Sequence, residues 1–152
     1  ANKALDTGKM QTAGRLKIGY YDHKLFICLP SGRKLAYIEP EKRLNNFNRM
    51  ELTYMGVGKT RKWERIMTYG PKLVENCIQA IARDILAEAM LRVDAAGFDI
   101  VAHVHDEMIV EVPNGKSSVK ELCDMMAESP DWVDDKLPLR ADGYECEWYR
   151  KD

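Results

Sequence analysis

Between positions 69 and 97 the apolar residues fall at helical spacing for about seven turns, and no other stretch restricts the fold of this chain as strongly. Leu73, Cys77, Ile78, Ile81, Ile85, Leu86, Ala89, Met90 and Val93 recur three and four apart. Gly70-Pro71 opens the run and Ala96-Gly97 closes it, where glycine supplies a left-handed cap. The spacing predicts one long amphipathic helix over 71–96. Its less apolar positions, Lys72, Glu75, Asn76, Gln79 and Arg83, make a second strip. Amides and amines on one strip can hydrogen-bond base edges and sugars in a minor groove, although a plain solvated face has the same periodicity.

Directly after the helix, FDIVAHVHDEMIVEVP (98–113) sets His105, Asp106 and Glu107 between two β-branched apolar runs. This predicts two mostly buried strands joined by a tight acidic tip. Carboxylates held at such a tip can bind a hard cation such as Mg²⁺ through oxygen. Asn114-Gly115 then turns the chain into a second amphipathic helix over 117–128, stopped before Pro130. The terminal LPLRADGYECEWYRKD alternates enough to predict a closing strand near 143–149 beside the hairpin.

The residues before the helix have a different texture. Segments 15–21 and 24–29 flank an Asp22-His23 turn, and Pro30-Ser31-Gly32-Arg33 leads into a strand over 34–38. These predict a small antiparallel meander. The Asn-rich 40–50 reads as an exposed loop, followed by strands over 51–55 and 63–68. GVGKT between them imitates a phosphate-binding loop, but the leading glycine of G-x-x-x-x-G-K-[ST] would have to be Thr53. A basic hairpin loop is the better reading. The predicted fold class is therefore α+β, with a basic β-rich segment over 1–68 and an α/β segment over 69–152.

Charge divides along the same line. Residues 1–72 hold 15 Lys and Arg against 6 Asp and Glu, and residues 73–152 hold 8 against 18, so the formal net charge of −1 conceals a basic and an acidic half. A basic half can contact phosphates, Arg33 included, although a solvated surface can be sorted this way too. No apolar run approaches about 18 residues and no signal-peptide pattern is present, which predicts a chain that neither spans a membrane nor is exported. Cys28, Cys77, Cys123 and Cys146 stand singly, without a C-x-x-C pair, as expected of reduced thiols in a cytoplasm.

With these residues in view, VHDEMIVEV resembles motif C of family A DNA polymerases. YGPKLVENCIQAIARDILAEAM, with its Q-x-x-x-x-D-x-x-x-x-A core, resembles the long palm helix that precedes that motif. LPSGRKLAYIEP, the basic strands and the terminal stretch resemble the phage-type branch of polymerase I-like enzymes, so the resemblance runs from about Gly14 onward. It implies an antiparallel palm-type sheet, with the motif C hairpin packed on the long helix and the shorter second helix. It also implies a bacterial cytoplasmic setting, phage or prophage encoded.

By the same resemblance Asp106 is a metal ligand for catalytic Mg²⁺, His105 lies near the primer terminus and Glu107 supports the metal site. Gln79 matches the glutamine that touches the primer-template minor groove, while the Asn usual four residues earlier is here Glu75, with Asn76 one position later. Lys72 and Arg83 share that strip, and primer-template DNA and a deoxynucleoside triphosphate are the implied partners. No D-Y-S-x-I-E motif A and no R-x-x-x-K-x-x-x-[FY]-G helix occurs in the chain. The expectation is thus a C-terminal fragment of a larger polymerase, inactive alone and able to form a homodimer through an uncovered sheet edge.

Two other classes remain open. His103 and His105, two apart on one strand, could with Asp106 form the metal site of a small hydrolase. H-x-H-x-D-H would however require Asp at 107 and His at 108, where Glu107 and Met108 stand. A non-catalytic nucleic-acid binding module could instead use the basic half with Tyr20, Tyr21, Phe26, Phe47, Tyr54 and Trp63 for stacking, although aromatics at strand spacing are more often core.

Overall fold

The computed structural model describes residues 1–134 and 136–149, and the chain is α+β. It divides into two compact units, Ala1–Ile81 and the part from Ala82 onward, the boundary falling inside one helix.

The first unit is built on a six-stranded antiparallel sheet whose strands follow chain order: β1 (Gln11–Ala13), β2 (Leu16–Tyr21), β3 (Lys24–Cys28), β4 (Lys34–Leu44), β5 (Met50–Val57) and β6 (Trp63–Thr68). The meander is therefore larger than the small one expected. Asp22 and His23 join β2 to β3 with φ of 50° and 53°, the mirror-image turn that matches strand twist. Segments 29–33, 45–49 and 58–62 are three copies of another turn. In each, the outer residues pair (Leu29 N–H to the Arg33 carbonyl, 2.8 Å) and a left-handed residue, Gly32, Asn48 or Arg61, returns its N–H to the first carbonyl. Glycine carries that conformation freely, whereas Arg61 holds it at a cost of roughly 1 kcal/mol.

The loop expected over 40–50 is mostly strand. β4 runs through to Leu44, and only 45–49 turns. Asn45 makes this possible: its Oδ1 accepts from the N–H groups of Phe47 (2.8 Å) and Arg49 (2.9 Å), and its Nδ2 donates to Glu51 (2.8 Å). Pro40, which has no N–H to offer a ladder, sits where the β4–β5 register shifts between Ile38 and Glu41. Arg65 locks this irregularity by donating to the Glu39 carbonyl (2.9 Å) and to Thr53 Oγ1 (3.2 Å).

Alternation sends one set of side chains to a single face of the sheet. Ile18 and Tyr20, Leu25 and Ile27, Leu35 and Tyr37 lie opposite one another across β2, β3 and β4, and Leu52 continues the layer on β5. Ala4 of helix α1 (Asn2–Thr7) and Leu73 and Cys77 of helix α2 (Gly70–Ala95) cover this face. The sequence pattern held no signal for α1 or β1, which are too short to show a period.

The second unit takes the rest of α2, a two-stranded hairpin of β7 (Asp99–Val104) and β8 (Glu107–Glu111), and helix α3 (Val119–Ala127). Gly97, at φ 85°, ends α2: its N–H bonds the Asp94 carbonyl (2.9 Å) and the Phe98 N–H reaches Val93 (3.3 Å). Ser118 caps α3 by accepting from the Glu121 N–H (3.2 Å). Leu86, Ala89, Val93 and Val133 are buried here. Arg92 donates to the Met125 (3.2 Å) and Glu128 (2.6 Å) carbonyls, satisfying the end of α3 from the face of α2.

Two expectations for this unit are corrected. No strand forms over 143–149: that stretch joins no strand ladder and passes α3, where a Cβ on Gly143 would lie 3.1 Å from Val119 and 3.3 Å from Cys123. Alternation reports which residues are apolar, not whether a free strand edge lies alongside. The hairpin strands are also not buried: Val101 is 56% exposed and none of the β7 or β8 residues is buried. A sheet of two strands leaves each with an open edge.

Candidate functional site

The turn between β7 and β8 is formed by His105 and Asp106 alone, with Val104 directly opposite Glu107. His105 takes φ 52°, a left-handed conformation that turns the chain within two residues. Both side chains are exposed, and the charge is tolerated there because water solvates it. Glu107 begins β8 and accepts a hydrogen bond from the Tyr149 hydroxyl at 3.3 Å. Partial burial, and then the neighbouring Glu107 charge, push the Tyr149 phenol up. This contact lies in the terminal stretch, where no sequence signal pointed to it.

His103 lies one residue before Val104, opposite Met108. The Arg83 guanidinium of α2 lies against its ring, with Nη1 to Nδ1 and Nη2 to Nε2 both 3.3 Å. A cation in that position competes with any metal for the imidazole lone pair. Among the described residues no group of three or more His, Cys, Asp or Glu could hold a metal ion. The His103, His105 and Asp106 hydrolase site is therefore not assembled. The same holds for a Mg²⁺ site: near the tip the described residues offer the exposed carboxylates of Asp106 and Glu107, the latter with one oxygen accepting from Tyr149, and no third donor.

The strip expected on α2 divides. Lys72, Glu75 and Gln79 are exposed and tied together: Lys72 Nζ lies 2.8 Å from Glu75 Oε1, and Gln79 Nε2 donates to the same oxygen at 3.3 Å. The Glu75 hydrogen bond holds the Lys72 ammonium above its usual value. Asn76 turns away from this strip to donate to the Tyr37 hydroxyl (3.2 Å). Burial pushes the Tyr37 phenol up, and its ring meets Tyr54 edge to face at 5.0 Å. Asn76 is thus a sheet-facing residue whose amide is spent on the core. Arg33 donates to the Ala80 carbonyl at 2.6 Å, bracing the 29–33 turn against α2. Beside the strip, Pro71, Val74 and Ile78 form a shallow apolar hollow with Glu75 and Gln79, of about 720 Å³. Val74 is 55% and Ile78 61% exposed.

Gln79, Lys72 and Arg33 therefore belong to the first unit, and Arg83, His105, Asp106 and Glu107 to the second. Among the described residues no helix is long and apolar enough to cross a membrane. No protein-family model matches the chain, and no solved structure does. The chain is similar to a protein named DNA polymerase from Bacillus phage SP02, with 47% identity over 129 residues that make up 84% of this chain and 20% of that protein. It spans about a fifth of the length of the relative it matches.

Proposed function

We propose that this chain is the C-terminal palm segment of a family A, phage-type DNA polymerase, contributing the motif C carboxylate and minor-groove contacts to a larger enzyme. The likeness to a phage DNA polymerase across 84% of the chain carries this reading. In template-directed polymerisation a primer 3′-hydroxyl attacks the α-phosphate of a deoxynucleoside triphosphate and pyrophosphate leaves. Paired Mg²⁺ ions would stabilise the attacking and leaving oxygens in the parent enzyme. Asp106 would be one ligand, and a second carboxylate would come from a part of the parent outside this chain. The exposed two-residue turn supports that role, because it leaves Asp106 open to a cation shared with another segment. His105 would face the primer terminus and Glu107 would support the site. The setting would be the cytoplasm of a bacterial host. Sequencing the coding region upstream of Ala1 tests the proposal: an in-frame D-Y-S-x-I-E motif is expected, and an unrelated or absent reading frame overturns it.

Gln79 is the groove-facing amide on this reading, yet Glu75 accepts its N–H and places a negative charge beside it. Glu75→Gln is expected to tighten binding of the chain to a recessed primer-template several-fold, since one like charge near a phosphate chain is removed. Gln79→Ala is expected to weaken it. Fluorescence anisotropy at fixed salt reads both, and equal affinities for all three proteins would count against the strip.

The open edges of the β7–β8 hairpin and the apolar outer positions Val101 and Leu91 suit association with further sheet. In isolation the chain is expected to dimerise through them as concentration rises. Light scattering that stays at a 17.4 kDa monomer mass up to millimolar protein would contradict this.

A further inference from the structure

The face of the six-stranded sheet opposite the core has a composition that the core does not require. Strand registers set Lys17, Cys28 and Lys34 in one row across β2, β3 and β4. The next row is Gly19, Phe26 and Ala36, and beyond it come Tyr21, Lys24 and Ile38. Phe26 is thus flanked on both neighbouring strands by the smallest side chains. A Cβ built on Gly19 would meet only the Met10 methyl, at 4.0 Å. Tyr21 stacks on Phe26 with centroids 4.4 Å apart and planes 20° from parallel, and it remains 53% exposed. Lys17 and Lys34 are both exposed and stand two strand spacings apart, roughly 10 Å, one side-chain step of roughly 7 Å from the aromatic row.

The aromatics sort accordingly. Tyr20 and Tyr54 pack against the core, whereas Tyr21 and Phe26 lie on the other face. Tyr21 is exposed on a half-buried Phe26, and the two lysines of the row beyond Phe26 give this face a binding surface with a defined chemistry.

We propose that this face binds single-stranded DNA, with a base stacking on the Tyr21–Phe26 pair and the adjacent phosphates held by Lys17 and Lys34. A single strand is the occupant that fits, because its bases offer free π-faces where a duplex hides them in its own stack. The lysine row to one side of the aromatic pair supplies the charge complementarity to phosphate. The proposal goes beyond the polymerase reading and does not depend on it, since it concerns neither the hairpin tip nor the α2 strip.

The test is anisotropy of a labelled oligodeoxythymidylate titrated with the 152-residue chain at several salt concentrations. Tyr21→Ala is expected to weaken binding about tenfold, and Tyr21→Phe, which keeps the ring, to leave it within about twofold. The double variant Lys17→Gln, Lys34→Gln is expected to flatten the slope of log affinity against log salt by about 1.4, or 0.7 per phosphate released. Lys59→Gln with Lys62→Gln, in the 58–62 turn away from these rows, is expected to leave the slope unchanged. Four results overturn the proposal: no binding of the single strand, tighter binding of a blunt duplex, parent-like binding by Tyr21→Ala, or an equal slope change from the Lys59 and Lys62 pair. Gln79→Ala serves as the divider. A loss confined to recessed primer ends touches only the polymerase reading, and a loss confined to the Tyr21 and lysine variants touches only this one.

Discussion

Incubated with Mg²⁺, a recessed primer-template and all four deoxynucleotides, the purified chain is expected to extend no primer beyond an Asp106→Ala control. The reason is compositional and geometric together. Phosphoryl-type transfer with paired metal ions needs carboxylates from separate strands converging on one point. Asp106 stands alone at its turn, and the described residues hold no third donor near it. An Arg or Lys helix that would grip a triphosphate is likewise missing from the sequence. On the proposed reading the same residue is expected to be indispensable in the larger polymerase, so that Asp106→Ala there removes incorporation by a factor of about a thousand or more. Extension by the isolated chain above the control would show that a complete site exists within it. It would sink the fragment reading while leaving the family likeness intact.

Leu25→Ala is expected to destabilise the first unit by about 3–5 kcal/mol, the range for deleting a fully buried leucine. Leu25 is 0% exposed, lies at the centre of the sheet and is flanked by Tyr20 on β2 and Tyr37 on β4. Neither tyrosine can collapse into the void freely. Tyr37 is fixed by the Asn76 hydrogen bond and by its edge contact with Tyr54. Thermal unfolding of the first unit followed by far-ultraviolet circular dichroism should show the midpoint lowered by about 12 °C or more. A cost below about 1 kcal/mol would mean that the site refills, and that the layer over β3 is looser than its burial indicates.

Where local chemistry is self-sufficient, the structure could be read from the residues. The α2 stripe, the Gly97 stop, the Asp22-His23 turn and the Pro30 to Gly32 turn each depend on neighbours within about five positions. So does the two-residue tip that exposes Asp106. The 40–50 stretch has the composition of a loop, yet most of it is strand, because Asn45 makes three hydrogen bonds that shape one tight hairpin. The partner of Asn76 is not legible in the sequence for a related reason. Position on a helix gives the angle of a side chain, but the Tyr37 hydroxyl that claims its amide is 39 residues away.

By itself, then, the sequence determined the α+β class, the order of strand, helix and hairpin, and the two-residue His105-Asp106 tip. These follow from periodicity and turn chemistry, which act over a few residues. Tertiary structure alone decided that six strands join one sheet, that Tyr20 and Tyr54 pack on the core face while Tyr21 and Phe26 lie on the opposite one, and that Arg83 lies against His103. It also left the closing stretch without a strand. Each of these depends on which distant backbone edge or side chain is at hand to pair with, and side-chain alternation has no means of encoding that.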